Sequence, residues 1–191
     1  SVRYMGPGMV AILLTTVLVF LSSMALVRER EQQTMDTLLI SPLKPLEIFV
    51  GKALPVGLVG LVSVGVGMLI LRLVFSVGLR GSLLDLLGAV VLYEATLLAY
   101  GLMISTLAST QQEAMFFAWF SMITFLLLSG FFTPAENIPA ALRLLVHVNP
   151  TYYMMSIIRQ IFLKGNGPFF FWRELLALGL ISAVVTSISL L

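Results

Sequence analysis

Long uncharged runs of apolar residues constrain this chain more than any other feature. The first run, residues 8–27, contains no charged side chain. An α-helix of that length spans about 30 Å, the thickness of the hydrocarbon layer of a bilayer. Charged residues make up only 10% of the 191 residues, against about 25% in a typical soluble domain. The mean hydropathy is +1.06. We therefore predict an all-α integral membrane protein.

Five long apolar runs, three of them without a charged residue, divide the chain, and each predicts one transmembrane helix within a single domain that covers residues 1–191. Most of the charged residues lie between the runs. Gly6, Pro7 and Gly8 predict a turn before the first helix, and Pro55 is expected in the first turn of the second, where proline is tolerated. The predicted spans are residues 8–27, 53–71, 86–108, 114–133 and 168–191.

The most polar segment is residues 28–52, with eight charged side chains. Within it, Met35, Leu38 and Leu39 follow the spacing of an amphipathic helix, which Pro42 and Pro45 would end. Two interpretations remain open: a solvated connector on the lipid headgroups, or a docking element for a partner protein. A connector between two spans needs only a few residues, so the length of this segment favours docking.

Residues 134–167 predict two short helices, at 139–147 and 150–163, which are too short to cross a bilayer separately. Asn149 and Pro150 form a favourable helix start, and Gly165 a favourable helix stop. We expect a re-entrant or interfacial helical hairpin. It is either a lid that seals the helix bundle, with Tyr152 and Tyr153 as interfacial anchors, or a gate at the outer end of a translocation path.

Glu94 is the one charged residue within the third predicted span. Carboxylates at membrane depth are costly and are usually paired. Arg72 ends the preceding antiparallel span and falls in the same half of the membrane, which predicts an intramembrane ion pair between Arg72 and Glu94. The pair is either purely structural or has a role in binding substrate or protons.

Several kinds of chemistry are excluded or disfavoured by the sequence. There is no cysteine, only one histidine and no phosphate-binding GxxxxGK[ST] motif. We therefore expect no metal site, no catalytic residues and no ATP hydrolysis in this chain. The net charge of +2 gives no reason to expect nucleic acid as a partner. Four basic residues lie on the face of the 28–52 segment and seven on the opposite face, a count that conflicts with a cytoplasmic 28–52 segment, so we assign no orientation from charge.

Two segments of the sequence carry a joint pattern of residues. The first comprises Arg28-Glu29-Arg30-Glu31, Thr34, Asp36, Leu38-Leu39, Ser41-Pro42 and Gly51-Lys52. The second comprises Gly130-Phe131-Phe132, Pro134, Glu136, Pro139, Asn149-Pro150, Tyr152-Tyr153, Arg159 and Lys164-Gly165. Together they resemble the permease subunit of the type-2 class of ABC exporters, in its bacterial drug-efflux-like branch, and the resemblance extends over essentially the whole chain. Gln33 stands where that family usually has glycine, and Asp36 where it usually has glutamate.

The resemblance implies a coupling region that docks on a separate cytoplasmic ATPase subunit, which would bind ATP and magnesium. It also implies an outward-facing gate hairpin at 134–167, a second permease copy in a homo- or heterodimer, and the bacterial inner membrane as the location. The coupling residues would be Arg28, Glu29, Arg30, Glu31, Thr34, Asp36, Leu38, Leu39, Ser41 and Pro42. The gate residues would be Pro134, Glu136, Pro139, Asn149, Pro150, Tyr152, Tyr153 and Arg159.

The permeases of that family have six spans, so the chain is expected to lack the first span and any extracytoplasmic domain after it. The function that follows is ATP-driven export of a substrate that the sequence does not identify. Two alternatives stay open: a membrane anchor or scaffold without its own substrate path, and a self-contained ion-coupled transporter.

Overall fold

The computed structural model describes residues 2–25, 27–32, 45–132 and 143–189, and every regular element in these ranges is helical. The predicted all-α architecture is thus confirmed for the described part of the chain. The helices are α1 (Val2–Ser23), α2 (Val27–Glu31), α3 (Pro45–Leu73), α4 (Leu83–Leu107), α5 (Gln111–Leu127), α6 (Arg143–Val148), α7 (Pro150–Arg159) and α8 (Trp172–Ser189). A π-helical turn at Gln160–Lys164 extends α7, and a 3-10 turn at Pro168–Phe170 precedes α8.

Four helical stretches in the described ranges are long and apolar enough to cross a bilayer, and they coincide with four of the five predicted spans. The remaining prediction, residues 114–133, falls on α5. This helix has 17 residues and is about 26 Å long, so it is shorter than the predicted span. The four stretches are Met5–Glu29, Val50–Leu73, Leu83–Leu107 and Trp172–Ser189.

Helix α4 lies at the centre of the bundle and packs against α1, α3, α5, α7 and α8. Its inward face carries the fully buried Tyr93 and Leu97. In contrast, α3 and α8 leave large apolar side chains exposed, among them Leu58, Leu69 and Leu180. Exposed leucines on helices of this hydropathy suit lipid contact, because lipid tails are as apolar as leucine itself.

The predicted turn at Gly6, Pro7 and Gly8 is wrong, because α1 runs through all three residues. The glycines serve close packing between helices. A Cβ added to Gly6 would lie 2.8 Å from Leu71 of α3, and one added to Gly8 would lie 2.8 Å from Met155 of α7. Small residues at such contacts let helices in a membrane approach each other closely.

The position predicted for Pro55 is also wrong. Helix α3 begins at Pro45, so Pro55 lies in its interior. Proline in a helix removes the hydrogen bond to the carbonyl four residues earlier, here that of Gly51. Gly51 is exposed, so surrounding polar groups can satisfy this carbonyl.

A tight connection at residues 108–110 turns the chain from α4 into α5. The Thr110 side chain accepts a hydrogen bond from the Glu113 N–H (3.2 Å), and Glu113 Oε2 accepts one from the Ser109 N–H (2.8 Å). These reciprocal bonds resemble a capping box, which fixes the start of a helix. Helix α5 therefore begins beside the end of α4, at the same end of the bundle as α2.

Candidate functional site

The predicted coupling residues are only partly within the described ranges. Arg28, Glu29 and Glu31 lie on α2, with Arg28 exposed, and the backbone of Arg30 lies on the same helix. The other predicted coupling residues lie outside the described residues: Thr34, Asp36, Leu38, Leu39, Ser41 and Pro42. The structure therefore describes how the segment leaves the bundle at α2.

Lys52 of α3 connects the second predicted span to α2 and to the residues just before it. Its Nζ lies 2.5 Å from Glu29 Oε1 and donates a hydrogen bond to the Ala25 carbonyl (3.0 Å). The Lys52 side chain is 15% exposed and that of Glu29 is 26% exposed. A partly buried pair with a further hydrogen bond holds its geometry better than a solvated surface pair.

Two further contacts tie α2 to α4 and α5. The Val27 N–H donates to Ser105 Oγ (3.0 Å), and the Val27 side chain is buried against Ala108 and Ala114. Glu31 accepts hydrogen bonds from the Gln111 backbone N–H (2.7 Å) and from the Gln111 side-chain amide. We call this arrangement, Lys52–Glu29, Val27–Ser105 and Glu31–Gln111, the α2 clamp. It attaches one short helix to the ends of α3, α4 and α5.

Acidification is expected to open the Glu31–Gln111 contact. The hydrogen bonds from the Gln111 backbone and side chain lower the pKa of Glu31 from its ordinary value of 4.5. A lowered pKa in the folded state means that the contact is favoured above pH 4.5 and is lost as the pH falls through the lowered value. Hydrogen exchange at the Gln111 amide, corrected for intrinsic exchange rates, should show this loss of protection.

Glu31→Gln is the matched control for this effect, because it keeps the size of the side chain and removes its titration. Protection of the Gln111 amide in that variant should be weaker at neutral pH and should not change on acidification. Wild-type protection that is unchanged through the same pH range would contradict the role assigned to the carboxylate.

Glu29 and Glu31, which the resemblance implies as coupling residues, make contacts within the chain in this structure. Their partners Lys52 and Gln111, and the Ser105 partner of Val27, are not predicted as a cluster from the sequence. Glu31 and Gln111 are 80 residues apart, and no local pattern links them. The available signal was the run of polar residues at 109–113, which places several donors at the same end of the bundle as α2.

The start of α7 agrees with its prediction from the sequence. The Asn149 side chain accepts a hydrogen bond from the Thr151 N–H (2.9 Å), and Pro150 occupies the first turn. The predicted stop is also confirmed, since Gly165 has φ of 68° after the turn at Gln160–Lys164. A positive φ favours glycine because it has no Cβ.

A chain of hydrogen bonds anchors the beginning of α7 inside the bundle. Tyr93 Oη lies 2.5 Å from Thr15 Oγ1 and 3.0 Å from Thr151 Oγ1, and Asn149 Nδ2 donates to the Phe125 carbonyl (2.8 Å). Together these bonds, which we call the core polar chain, join α1, α4, α5 and α7. Thr15 and Tyr93 belong to the middle of their helices, so α7 begins deep in the bundle.

The far end of α7 reaches the connection between α3 and α4. Gly81 donates its N–H to the Ile161 carbonyl (3.0 Å), and Arg80 Nη1 donates to the Leu163 carbonyl (3.3 Å). Helix α7 therefore extends from the middle of the bundle to the end opposite α2.

The other predicted gate residues that are described make contacts at the two ends of α7. Tyr153 Oη donates to the His147 carbonyl (2.8 Å), and the Tyr152 and Tyr153 rings pack edge to face. Arg159 Nη2 donates to the Gly130 carbonyl (3.0 Å). Pro134, Glu136 and Pro139 lie outside the described residues.

The structure does not form the predicted ion pair between Arg72 and Glu94. Glu94 is buried beside Gly57 and Gly60 of α3, and Glu94 Oε1 has no hydrogen-bond partner among the described residues. Arg72 is exposed and lies twelve residues, or about 18 Å, beyond Gly60 on the same helix. The two residues belong to adjacent helices, but Glu94 contacts α3 at Gly57 and Gly60, far from Arg72 near the end of that helix.

No group of three or more His, Asp or Glu side chains is arranged to hold a metal ion within the described ranges. The polar groups that the structure does bring together serve to join helices. The helical architecture and its four apolar stretches define an α-helical membrane protein whose polar contacts concentrate at the α2 end and along α7.

The chain belongs to the ABC-2 type transporter family, whose sequence model matches residues 1–163. The probable multidrug ABC transporter permease YbhR of Escherichia coli (strain K12) is 35% identical over 184 residues, which are 96% of this chain and 50% of that protein. The probable multidrug ABC transporter permease YbhS of the same strain is 31% identical over 169 residues, 88% of this chain and 45% of that protein. The inner membrane transport permease YhhJ, also of that strain, is 31% identical over 188 residues, 96% of this chain and 50% of that protein.

The chain thus spans about half the length of the curated relatives that it matches. These matches confirm the resemblance to the permeases of type-2 ABC exporters, and the relatives that they name are permeases.

Proposed function

We propose that this chain forms part of the transmembrane subunit of an ATP-driven exporter that moves substrate out of the cytoplasm. The energy comes from a separate ATPase subunit, which binds ATP and magnesium and docks on the segment that begins with α2. The names of two relatives, probable multidrug ABC transporter permeases, support drug-like compounds as the substrate class. The name of a third, an inner membrane transport permease, supports the bacterial inner membrane as the location.

The α2 clamp is the observation that carries this proposal. A docking segment can transmit force only if it is attached firmly to the spans that must move. Lys52, Ser105 and Gln111 attach α2 to three helices at one end of the bundle. A solvated connector that merely rests on lipid headgroups needs no such attachments.

In the same proposal, α5 is a fifth membrane helix, and α6 and α7 form a re-entrant hairpin that gates the outer end of the path. The length of α5, about 26 Å, lies at the lower limit for a span. The core polar chain supports the hairpin, because it fixes the start of α7 at mid-bundle depth while its far end contacts Arg80 and Gly81. A second permease copy completes the exporter.

Substitutions in the docking segment are expected to release the ATPase. We expect Leu38→Ala and Asp36→Ala in the full-length permease to reduce co-purification of the cognate ATPase by several-fold, because they remove an apolar side chain and a charge from the proposed docking segment. The measurement is the molar ratio of ATPase to permease after affinity purification in detergent.

Leu84→Ala and Asp85→Ala are matched controls, since these residues have the same types and lie in the first turn of α4, at the end of the bundle opposite α2. Leu84 is exposed. These variants should retain the ATPase. If the unmodified permease binds no ATPase, the proposal fails and the protein is better described as a membrane scaffold.

A further inference from the structure

Glu94 is a buried carboxyl group that the proposed transport mechanism does not yet use. It lies near the middle of α4 and is 4% exposed. Its Oε1 atom is buried without a hydrogen-bond partner among the described residues. Ionised carboxylates at membrane depth are costly unless another group compensates their charge, so this position needs an explanation.

The backbone of α3 closes over this carboxyl group. A Cβ added to Gly60 would collide with Glu94 Oε1 and would lie 2.9 Å from Leu18 of α1. One added to Gly57 would lie 3.7 Å from Glu94 Oε2 and 3.6 Å from Leu98. The two glycines therefore form a wall at the junction of α1, α3 and α4. An added side chain would clash at Gly60, whereas a Cβ at Gly57 would make only ordinary contacts.

The charged groups on the surrounding helices are committed elsewhere or lie toward the helix ends. Residues 5–23 of α1 contain no charged side chain. Lys52, the cation on α3 closest in sequence to Gly57, is paired with Glu29. Arg159 on α7 donates to Gly130, and Glu174 on α8 accepts from Ser156 and Gln160. The remaining charged side chains described on helices that pack with α4, and on α4 itself, are Glu47, Arg72, Asp85, Glu113 and Arg173.

We propose that Glu94 is a proton-binding site. In the packed arrangement of α1, α3 and α4, the carboxyl group carries a proton and is neutral. Its Oε1 faces the glycine wall, where a proton is the smallest ligand that removes the charge. When α3 separates from α4 and water enters, the carboxyl group loses the proton to that water and becomes an ionised carboxylate.

Proton release at Glu94 is linked to movement of α3, and this link rests on the proposed function. The Lys52–Glu29 pair joins α3 to α2, so displacement of the docking segment acts on the helix that covers Glu94. Higher pH favours the ionised form and therefore the separated arrangement, whereas lower pH favours the packed one. The exporter cycle consequently depends on pH through Glu94.

Infrared spectroscopy of the purified full-length permease tests the site directly. A difference spectrum between the wild type and Glu94→Gln at neutral pH should contain the C=O stretch of a protonated carboxylic acid. Glu113→Gln is the matched control, because Glu113 lies at the helix start outside the predicted spans and should give no such band. Absence of the band in the Glu94→Gln difference spectrum overturns the proposal.

The pH profile of ATP-driven ethidium efflux from proteoliposomes tests the link to movement. Glu94→Gln should make the efflux rate vary severalfold less with pH than in the wild type, because glutamine mimics the neutral form at every pH. An unchanged profile overturns the link.

If Glu94→Gln does not fold, Glu94→Asp should shift the infrared band instead. Failure of the ATPase to co-purify overturns the proposed function alone, since the infrared result does not depend on it.

Discussion

Gly101→Ala is expected to lower the free energy of unfolding by about 1–3 kcal/mol, the usual cost of overpacking a well-packed contact. A Cβ at Gly101 of α4 would overlap Ser22 Oγ of α1, and it would lie 2.7 Å from Ser22 Cβ and 3.0 Å from the Ser23 backbone nitrogen. Rotation of the serine hydroxyl relieves the first clash only. The other two involve atoms that move only if the backbone of α1 moves, so the α1–α4 contact has to open.

Gly88→Ala is the matched control, because it makes the same substitution in the same helix at a site with no atom within 4 Å. Alanine is favoured over glycine in a helix by about 1 kcal/mol, so this variant should be as stable as the wild type or slightly more stable. Thermal unfolding followed by circular dichroism in detergent compares the two. Equal melting temperatures for both variants would contradict the role assigned to Gly101.

The helices and their ends could be predicted from the sequence wherever the signal is local. Uncharged runs of about twenty residues predict membrane helices because a helix must satisfy its backbone inside the bilayer. Asn149, Pro150 and Gly165 predict where α7 starts and where its extension stops, because capping and a positive φ depend on neighbouring residues alone.

Predictions failed where a residue serves a distant contact. Gly6 and Gly8 have the composition of a turn, yet they continue α1 because Leu71 and Met155 pack against them. The start of α3 at Pro45 was missed since apolar residues alone defined the predicted span. Glycine occurs both in turns and at close contacts between helices, and only the packing partner distinguishes between these two roles.

The candidate sites show the same limit. Counting residues places Arg72 and Glu94 in the same half of the membrane, but a contact also requires that the two side chains lie at the same level along the bundle, and Arg72 lies about 18 Å beyond Gly60 on α3. Packing against Gly57 and Gly60 directs Glu94 elsewhere. At the α2 end, the charged residues 28–31 could be located from the sequence, whereas their partner Gln111 could not, since nothing local connects residues that are 80 positions apart.

Tyr93→Ala is expected to cost about 3–5 kcal/mol of the free energy of unfolding, the range for removing a large buried aromatic side chain. Tyr93 is fully buried at the centre of α4. Its hydroxyl is shared between Thr15 of α1 and Thr151 of α7, so the substitution removes both packing and the middle of the core polar chain. Chemical unfolding of the purified permease in detergent, followed by tryptophan fluorescence, measures the loss.

Tyr93→Phe separates the hydroxyl from the ring and shows what the hydrogen bonds contribute. We expect a loss of about 1–2 kcal/mol, because Thr15 keeps its bond to the Ala11 carbonyl while Thr151 Oγ1 loses its bond to Tyr93. Tyr100→Phe in the same helix is the control. Ser121 keeps its bond to the Phe117 carbonyl after that change, so the loss of unfolding free energy should be smaller.

If α7 is a gate held by the core polar chain, Tyr93→Phe should also increase hydrogen exchange at the amides of residues 150–155 more than Tyr100→Phe does. Equal exchange in the two variants would mean that packing, not this hydroxyl, holds α7 in the bundle.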